Sequence, residues 1–298
     1  MQKSKIKLEV LLLFAIGLSI LFGCATAPEQ APSARASVIA PDAVWRVLIL
    51  ELEGETAAAA SSTRAASTSS AALNSAAPSA VAEHLHRLAL AAEVERVERY
   101  AGSTQLRDAI EVPQGGQPVQ VLQNEDQLRA LYDTFTGTEN EVVIVFLKAQ
   151  GLASGGLLIT TDSGEDMRLS HPQLRSLLDK ALGNSPAVVL VSADYSGGLL
   201  TAAPGTAGLF NSRRVIMTSA GSESTNFISD GGLVWEDLLA RKLADTSTES
   251  TWLDIARTLE ADIGSAEQSA GVAEFSQPQH WVPLGTSAEL DAFFNSGT

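Results

Sequence analysis

Short apolar segments rich in branched residues recur along the chain and place the strongest constraint on its fold. These segments are residues 45–52 (WRVLILEL), 141–147 (EVVIVFL), 187–192 (AVVLVS) and 214–219 (RVIMTS). Their length and composition are typical of buried β-strands. Stretches with helical spacing separate or follow them, at residues 82–92, 124–135, 170–182, 232–243 and 251–259. Buried strands that alternate with helices predict an α/β fold, a three-layer sandwich whose mostly parallel central sheet carries helices on both faces.

Weaker patterns add three short strands to this prediction. Residues 119–122 (VQVL) and 155–160 (GGLLIT) are brief apolar runs, the second as one arm of a hairpin, and residues 280–284 resemble a late edge strand. The stretch from residue 93 to about 118 is polar and gives no assignment.

The N-terminus has the order of an export signal. Lys3, Lys5 and Lys7 precede an apolar stretch at residues 10–22, which ends in the small residue Gly23 before Cys24. The apolar stretch is too short to cross a bilayer core of roughly 30 Å as a helix. We therefore predict a signal peptide over residues 1–23.

The Leu-x-Gly-Cys ending of this segment resembles the lipobox of bacterial lipoproteins. The resemblance implies that the chain is cut before Cys24, that Cys24 carries lipid such as palmitate, and that the lipid attaches the protein to a membrane. Because Ala25 rather than an aspartate follows, it also implies the outer membrane of the bacterial envelope, facing the periplasm. The alternative is an ordinary secretory signal with a chance cysteine.

The predicted domains follow from composition after this point. Residues 24–43 are rich in Ala, Pro and Ser and are expected to be a flexible tether. Residues 44–298 form the α/β domain, and a low-complexity Ala/Ser insertion at about 56–80 has too little apolar bulk to pack well.

Charge and cysteine content exclude several classes of function. The net charge of −15 and the lack of a basic stripe with aromatic residues predict no nucleic-acid binding. Cys24 is the only cysteine, so a lipid there leaves no thiol for a disulfide, a thiolate metal site or a nucleophile. His84 and His86 lie two apart on a predicted helix and point in different directions, so we predict no metal and no cofactor.

Functional residues of parallel α/β sheets gather beyond the carboxyl ends of the strands. Three such segments follow the predicted core strands, at residues 148–151 (KAQG), 193–198 (ADYSGG) and 220–224 (AGSES). A strand that runs into Ala-x-Tyr-Ser-Gly-Gly resembles the legumain-type branch of the caspase-like cysteine peptidases. In that family the first segment carries His-Gly and the second Ala-Cys-Tyr-Ser-Gly-Gly, and the histidine and cysteine are the catalytic dyad. The resemblance covers about residues 141–243 and implies a caspase-like sandwich.

This chain departs from the family at both reactive positions. Gln150 stands where the family has its histidine, and Asp194 where it has its cysteine. A glutamine amide does not titrate near neutrality and cannot act as a general base, and no thiol is present at the second position. The resemblance therefore implies a degenerate member with no catalytic residues in the family sense. The expected remnant of the cleft consists of Gly151, Tyr195, Ser196, Gly197, Glu223 and Ser224.

Three functions stay open on the sequence alone. The first is a binding or scaffolding module that holds a peptide or a protein partner in the remnant cleft, with Glu223 favouring a basic group. The second is a hydrolase with an unfamiliar nucleophile such as Asp194 or Ser196, although the Ser196 segment lacks the first glycine of a Gly-x-Ser-x-Gly elbow. The third is a structural envelope lipoprotein without a ligand. His171, before a proline at a predicted helix start, is expected to cap the helix or to be exposed.

Overall fold

The computed structural model of the chain describes residues 44–52, 78–91, 94, 96–135, 141–161, 166–201, 210, 213–229, 232–245, 251–282 and 290. The chain divides into two units, Met1–Ser37 and Val38–Thr298, and all of these residues lie in the second unit. The predicted signal peptide, Cys24, the tether and most of the predicted insertion lie outside the described residues.

The described part of the chain contains twelve strands, six α-helices and one 3₁₀-helix, Ser196–Leu199. The strands are β1 Val44–Glu51, β2 Arg96–Ala101, β3 Gln120–Val121, β4 Glu141–Lys148, β5 Gln150–Gly151, β6 Leu157–Thr160, β7 Asp166–Leu169, β8 Ala187–Ser192, β9 Arg214–Thr218, β10 Ile228–Ser229, β11 Gly232–Leu233 and β12 Gln279–Trp281. The helices are α1 Ala80–Ala91, α2 Thr104–Ala109, α3 Glu125–Thr134, α4 His171–Leu182, α5 Val234–Ala244 and α6 Trp252–Ala270.

A seven-stranded sheet in the order β12-β9-β8-β4-β1-β2-β3 forms the middle layer. All neighbouring strands in it are parallel except β12, which pairs with β9 in the antiparallel sense. Two small antiparallel sheets, β5-β6-β7 and β10-β11, lie outside it. The predicted mostly parallel sheet is confirmed, and the late strand does lie at the edge.

Alternation of side chains along β1 shows how the sheet serves two cores. Leu48 and Leu50 point to one face, where leucines of α3 and α4 pack, whereas Val47 and Ile49 point to the other, where α1, α5 and α6 pack. All four of these β1 side chains are fully buried. The helices therefore cover both faces, and the predicted three-layer α/β sandwich is confirmed.

Helix starts follow the chemistry that the sequence offers. The Asn124 side chain accepts a hydrogen bond from the Gln127 N–H at 2.9 Å and caps α3. Ser170 caps α4 through a capping box with Gln173, and Pro172 lies in the first turn. Helix α6 continues to Ala270, well beyond the predicted end at residue 259. The prediction ended too early because the second half of the helix consists mostly of polar and small residues, which show little apolar periodicity.

The polar stretch that gave no assignment holds both β2 and α2. Residues of β2 alternate between exposed and buried sides, and the charged Arg99 lies on the buried side. The Arg99 guanidinium donates to Glu51 Oε2 from Nε at 2.8 Å and from Nη2 at 2.6 Å. The inward-facing arginine of β2 is therefore paired with a carboxylate of β1. Because β2 contains several charged residues, its sequence does not have the apolar pattern of a buried strand.

Candidate functional site

Strands β4, β8 and β9 end at the same edge of the sheet, and the segments that follow them are brought together. A Cβ placed on Gly151 would lie 1.7 Å from the Asp194 carbonyl oxygen, so the two backbones touch and only glycine fits at residue 151. The structure therefore places Gly151 directly against Asp194, and Gln150 is the residue before this contact.

Gln150 begins β5, opposite Leu158 of β6. Its side-chain Oε1 is buried and has no hydrogen-bond partner among the described residues. An amide oxygen is a hydrogen-bond acceptor, and it does not take up a proton near neutrality.

The Asp194 carboxylate is committed to the neighbouring loop. Its Oδ1 accepts a hydrogen bond from the Asn226 N–H at 2.7 Å, and the next residue, Tyr195, donates its N–H to the Ser224 carbonyl at 2.8 Å. Tyr195 has left-handed backbone angles (φ 56°, ψ 15°), which turn the chain sharply after Asp194. These two bonds join the segment after β8 to the segment after β9.

Ser196 and Gly197 complete the same junction. Ser196 is 1% exposed, and its Oγ accepts from the Ala220 N–H at 3.2 Å and donates to the Ala220 carbonyl at 3.4 Å. A Cβ on Gly197 would come within 2.7 Å of the Gly221 backbone. Both hydrogen-bonding capacities of the Ser196 hydroxyl are used within the fold, which favours a structural role over attack on a substrate.

The remaining predicted cleft residues lie on the loop after β9. Glu223 is exposed, and the partly buried Ser224 accepts a hydrogen bond from the Gly221 N–H through its Oγ at 3.2 Å. Ser224 therefore shapes the loop, whereas the Glu223 carboxylate lies at the surface.

His171 lies against this junction, which the sequence did not indicate. It is 6% exposed, so the expectation that it is exposed is wrong, and Ser170 rather than His171 caps the helix. A Cβ on Gly198 would be 2.3 Å from the His171 Nδ1, so the imidazole packs on the Gly198 backbone. Burial, reinforced by the nearby Arg175 guanidinium, lowers the pKa of His171. The imidazole of His171 thus occupies the position that a side chain at Gly198 would need.

Polar residues at the last position of three strands form a mostly buried polar cluster at the ends of these strands, on the sheet face that α1 and α5 cover. Ser192 donates to Glu236 Oε1 of α5 at 2.6 Å, and Lys148 Nζ lies 3.4 Å from Glu236 Oε2. Glu51, which pairs with Arg99, is next to Lys148 in the sheet register and also accepts the Ser79 N–H at 2.7 Å. In the sequence, Glu51, Lys148 and Ser192 are each a single polar residue at the end of an apolar strand. Their proximity follows from the register of the sheet, which the sequence alone does not give.

His84 and His86 both lie on α1, and burial lowers the pKa of each. Within the described ranges, no group of three or more His, Cys, Asp or Glu side chains is arranged to hold a metal ion. No helix there is long and apolar enough to cross a membrane.

Comparison with known proteins gives a structural neighbour and no family. No family model matches the chain, and no curated protein matches it. Among solved structures, caspase-1 from Spodoptera frugiperda aligns over 81% of this chain and 87% of its own, with 11% sequence identity and a TM-score of 0.46. A likeness at this level assigns neither a family nor an activity.

Proposed function

We propose that this protein is a lipid-anchored binding module of the bacterial envelope, built on a peptidase-like domain that does not cleave peptides. Lipid on Cys24 would attach it to the outer membrane, and the junction of the segments after β4, β8 and β9 would hold a peptide or a protein partner. The observation that carries the proposal is the hydrogen bond from the Asn226 N–H to the Asp194 carboxylate.

The hydrogen bond from the Asn226 N–H bears on function because it fixes the orientation of the Asp194 carboxylate. Asp194 Oδ1 accepts the Asn226 N–H of its own fold, and this hydrogen bond orients the carboxylate toward the neighbouring loop. Before the Gly151 contact, Gln150 supplies an amide in place of a proton acceptor. The site thus keeps a frame of close backbone contacts while both reactive positions hold side chains suited to hydrogen bonding.

Ser196 gives the hydrolase alternative little support. A serine nucleophile needs a general base within hydrogen-bond reach and an accessible hydroxyl. The Ser196 hydroxyl is buried and bonded on both sides to Ala220. These contacts favour the binding module over a serine-based hydrolase.

Peptide retention tests the binding half of the proposal. The full chain, immobilised in a mild non-ionic detergent, is exposed to a mixed peptide library, and the retained peptides are identified by mass spectrometry. We expect a saturable set enriched in basic residues, which Glu223→Gln reduces and the matched surface change Glu274→Gln leaves in place. If no peptide is retained saturably, the proposal fails in favour of a structural envelope protein without a ligand.

A further inference from the structure

Strand β12 forms one edge of the seven-stranded sheet. It pairs with β9 through three residues, Gln279 opposite Thr218, His280 opposite Met217 and Trp281 opposite Ile216. No described strand pairs with its other side. An edge strand presents backbone N–H and C=O groups that can pair with another extended chain.

A groove of about 350 Å³ lies along this edge and has two chemically different sides. Phe210 and Trp281 line one side, with ring centroids 5.6 Å apart and ring planes at 72°. Glu260 of α6 and His280 line the other, with His280 Nδ1 3.8 Å from Glu260 Oε2. Because neighbouring side chains of a strand point to opposite faces, Trp281 and His280 place these two chemistries on opposite sides of β12.

Exposure and charge at the groove indicate what it binds. Trp281 is 41% exposed although large aromatic side chains are usually buried, and the Glu260 side chain is 58% exposed. Among the described residues, those that line the groove include neither lysine nor arginine. The whole chain carries a net charge of −15, so a second copy would bring like charge to Glu260, whereas a basic partner would be attracted.

We propose that β12 binds an extended peptide segment that adds a strand to the sheet edge. The bound segment alternates, with an apolar or aromatic side chain against Phe210 and Trp281 and a lysine or arginine beside Glu260. Main-chain hydrogen bonds supply affinity in this mode of recognition, and the alternating pockets supply specificity. The proposal is independent of the proposed function, because none of the groove residues it uses belongs to the Gln150–Asp194 junction.

Three labelled peptides of six residues test it, with binding to the full chain in detergent followed by fluorescence anisotropy. The first alternates valine with arginine, the second alternates valine with glutamate, and the third repeats the first with alternate backbone amides methylated. We expect saturable binding of the first peptide only, because the second reverses the charge and the third cannot pair with the edge. Equal binding of the glutamate or the methylated peptide would overturn the proposal.

Matched variants locate the binding. Trp281→Ala should weaken it about fivefold or more, as for a central aromatic contact, whereas the equally exposed Phe275 should tolerate Phe275→Ala. Glu260→Gln, at an exposed helix position that leaves the fold intact, should weaken binding about two- to fivefold, and Glu274→Gln should not. If Phe275→Ala matches Trp281→Ala, or if Glu260→Gln has no effect, the groove is not the site.

Two further outcomes would show either a different binding site for the peptide or a different occupant of the β12 edge. Loss of binding in Asp194→Ala would place the peptide at the strand-end junction and overturn the edge proposal. Sedimentation velocity that shows a dimer dissociated by Trp281→Ala would make a second copy the occupant and overturn it as well.

Discussion

Replacement of Gly151 by alanine probes the contact between Gly151 and Asp194. The new Cβ would lie 1.7 Å from the Asp194 carbonyl oxygen and 2.4 Å from its carbonyl carbon, both backbone atoms. A flexible side chain can move away from such a contact, but a backbone tied down by the Tyr195–Ser224 and Asp194–Asn226 hydrogen bonds cannot do so cheaply. Overpacking of this kind costs about 1–3 kcal/mol of unfolding free energy.

The measurement is urea unfolding of the full chain, followed by circular dichroism, with Gly264→Ala as the matched control. Gly264 lies inside α6 with nothing within 4 Å of its Cβ position, so alanine there should stabilise the protein by about 1 kcal/mol. We expect Gly151→Ala to lower the unfolding free energy and Gly264→Ala to raise it. If Gly151→Ala unfolds at the wild-type midpoint while the control is stabilised, the two segments do not touch and the site as described is wrong.

Three other changes give separate tests. Glu51→Gln removes the carboxylate that accepts two hydrogen bonds from the buried Arg99 guanidinium and leaves the partly exposed Glu83, 2.9 Å from Arg99 Nη1, as its carboxylate partner. The change should cost about 3 kcal/mol by urea unfolding, and an effect below about 0.5 kcal/mol on the same scale would contradict the buried pair. The pKa of His171 is lowered in the folded protein, so the unfolded chain binds the extra proton as the pH falls through about 6.5. The free energy of unfolding should therefore drop by up to about 1.4 kcal/mol between pH 7.5 and 5.5. His171→Gln should lose that part of the pH dependence, and an unchanged dependence of the unfolding free energy on pH would refute the burial of His171. Cys24→Ser should abolish incorporation of labelled palmitate in a bacterial host, and label retained in that variant would exclude Cys24 as the lipid site.

Runs of apolar residues made the sheet strands β1, β4, β8 and β9 predictable, because a strand buried on both faces leaves a direct mark on sequence. Strand β2 left no such mark, since its inward Arg99 is paired with Glu51 of another strand. A pairing between residues 48 positions apart is a property of the register and cannot be read from either segment alone.

The candidate site likewise has one part that the sequence predicts and another that it does not. That Gln150 and Asp194 would follow neighbouring strands was predictable from the positions of the strand ends, and the structure brings the two segments into contact at Gly151 and Asp194. The bond between Asp194 and Asn226 and the burial of His171 depend on loop backbone angles, such as the left-handed Tyr195, and no pattern in the sequence specifies them.

Hydrolysis by the full chain tests the central claim most directly. Wild type and Asp194→Ala, purified in parallel, are incubated with a mixed peptide library, and new peptide termini are counted by mass spectrometry. We predict no cleavage above the protein-free control for either protein, because neither Gln150 nor Asp194 supplies the chemistry of a thiol–imidazole pair. Cleavage by wild type that Asp194→Ala abolishes would contradict this and make Asp194 part of a working active site.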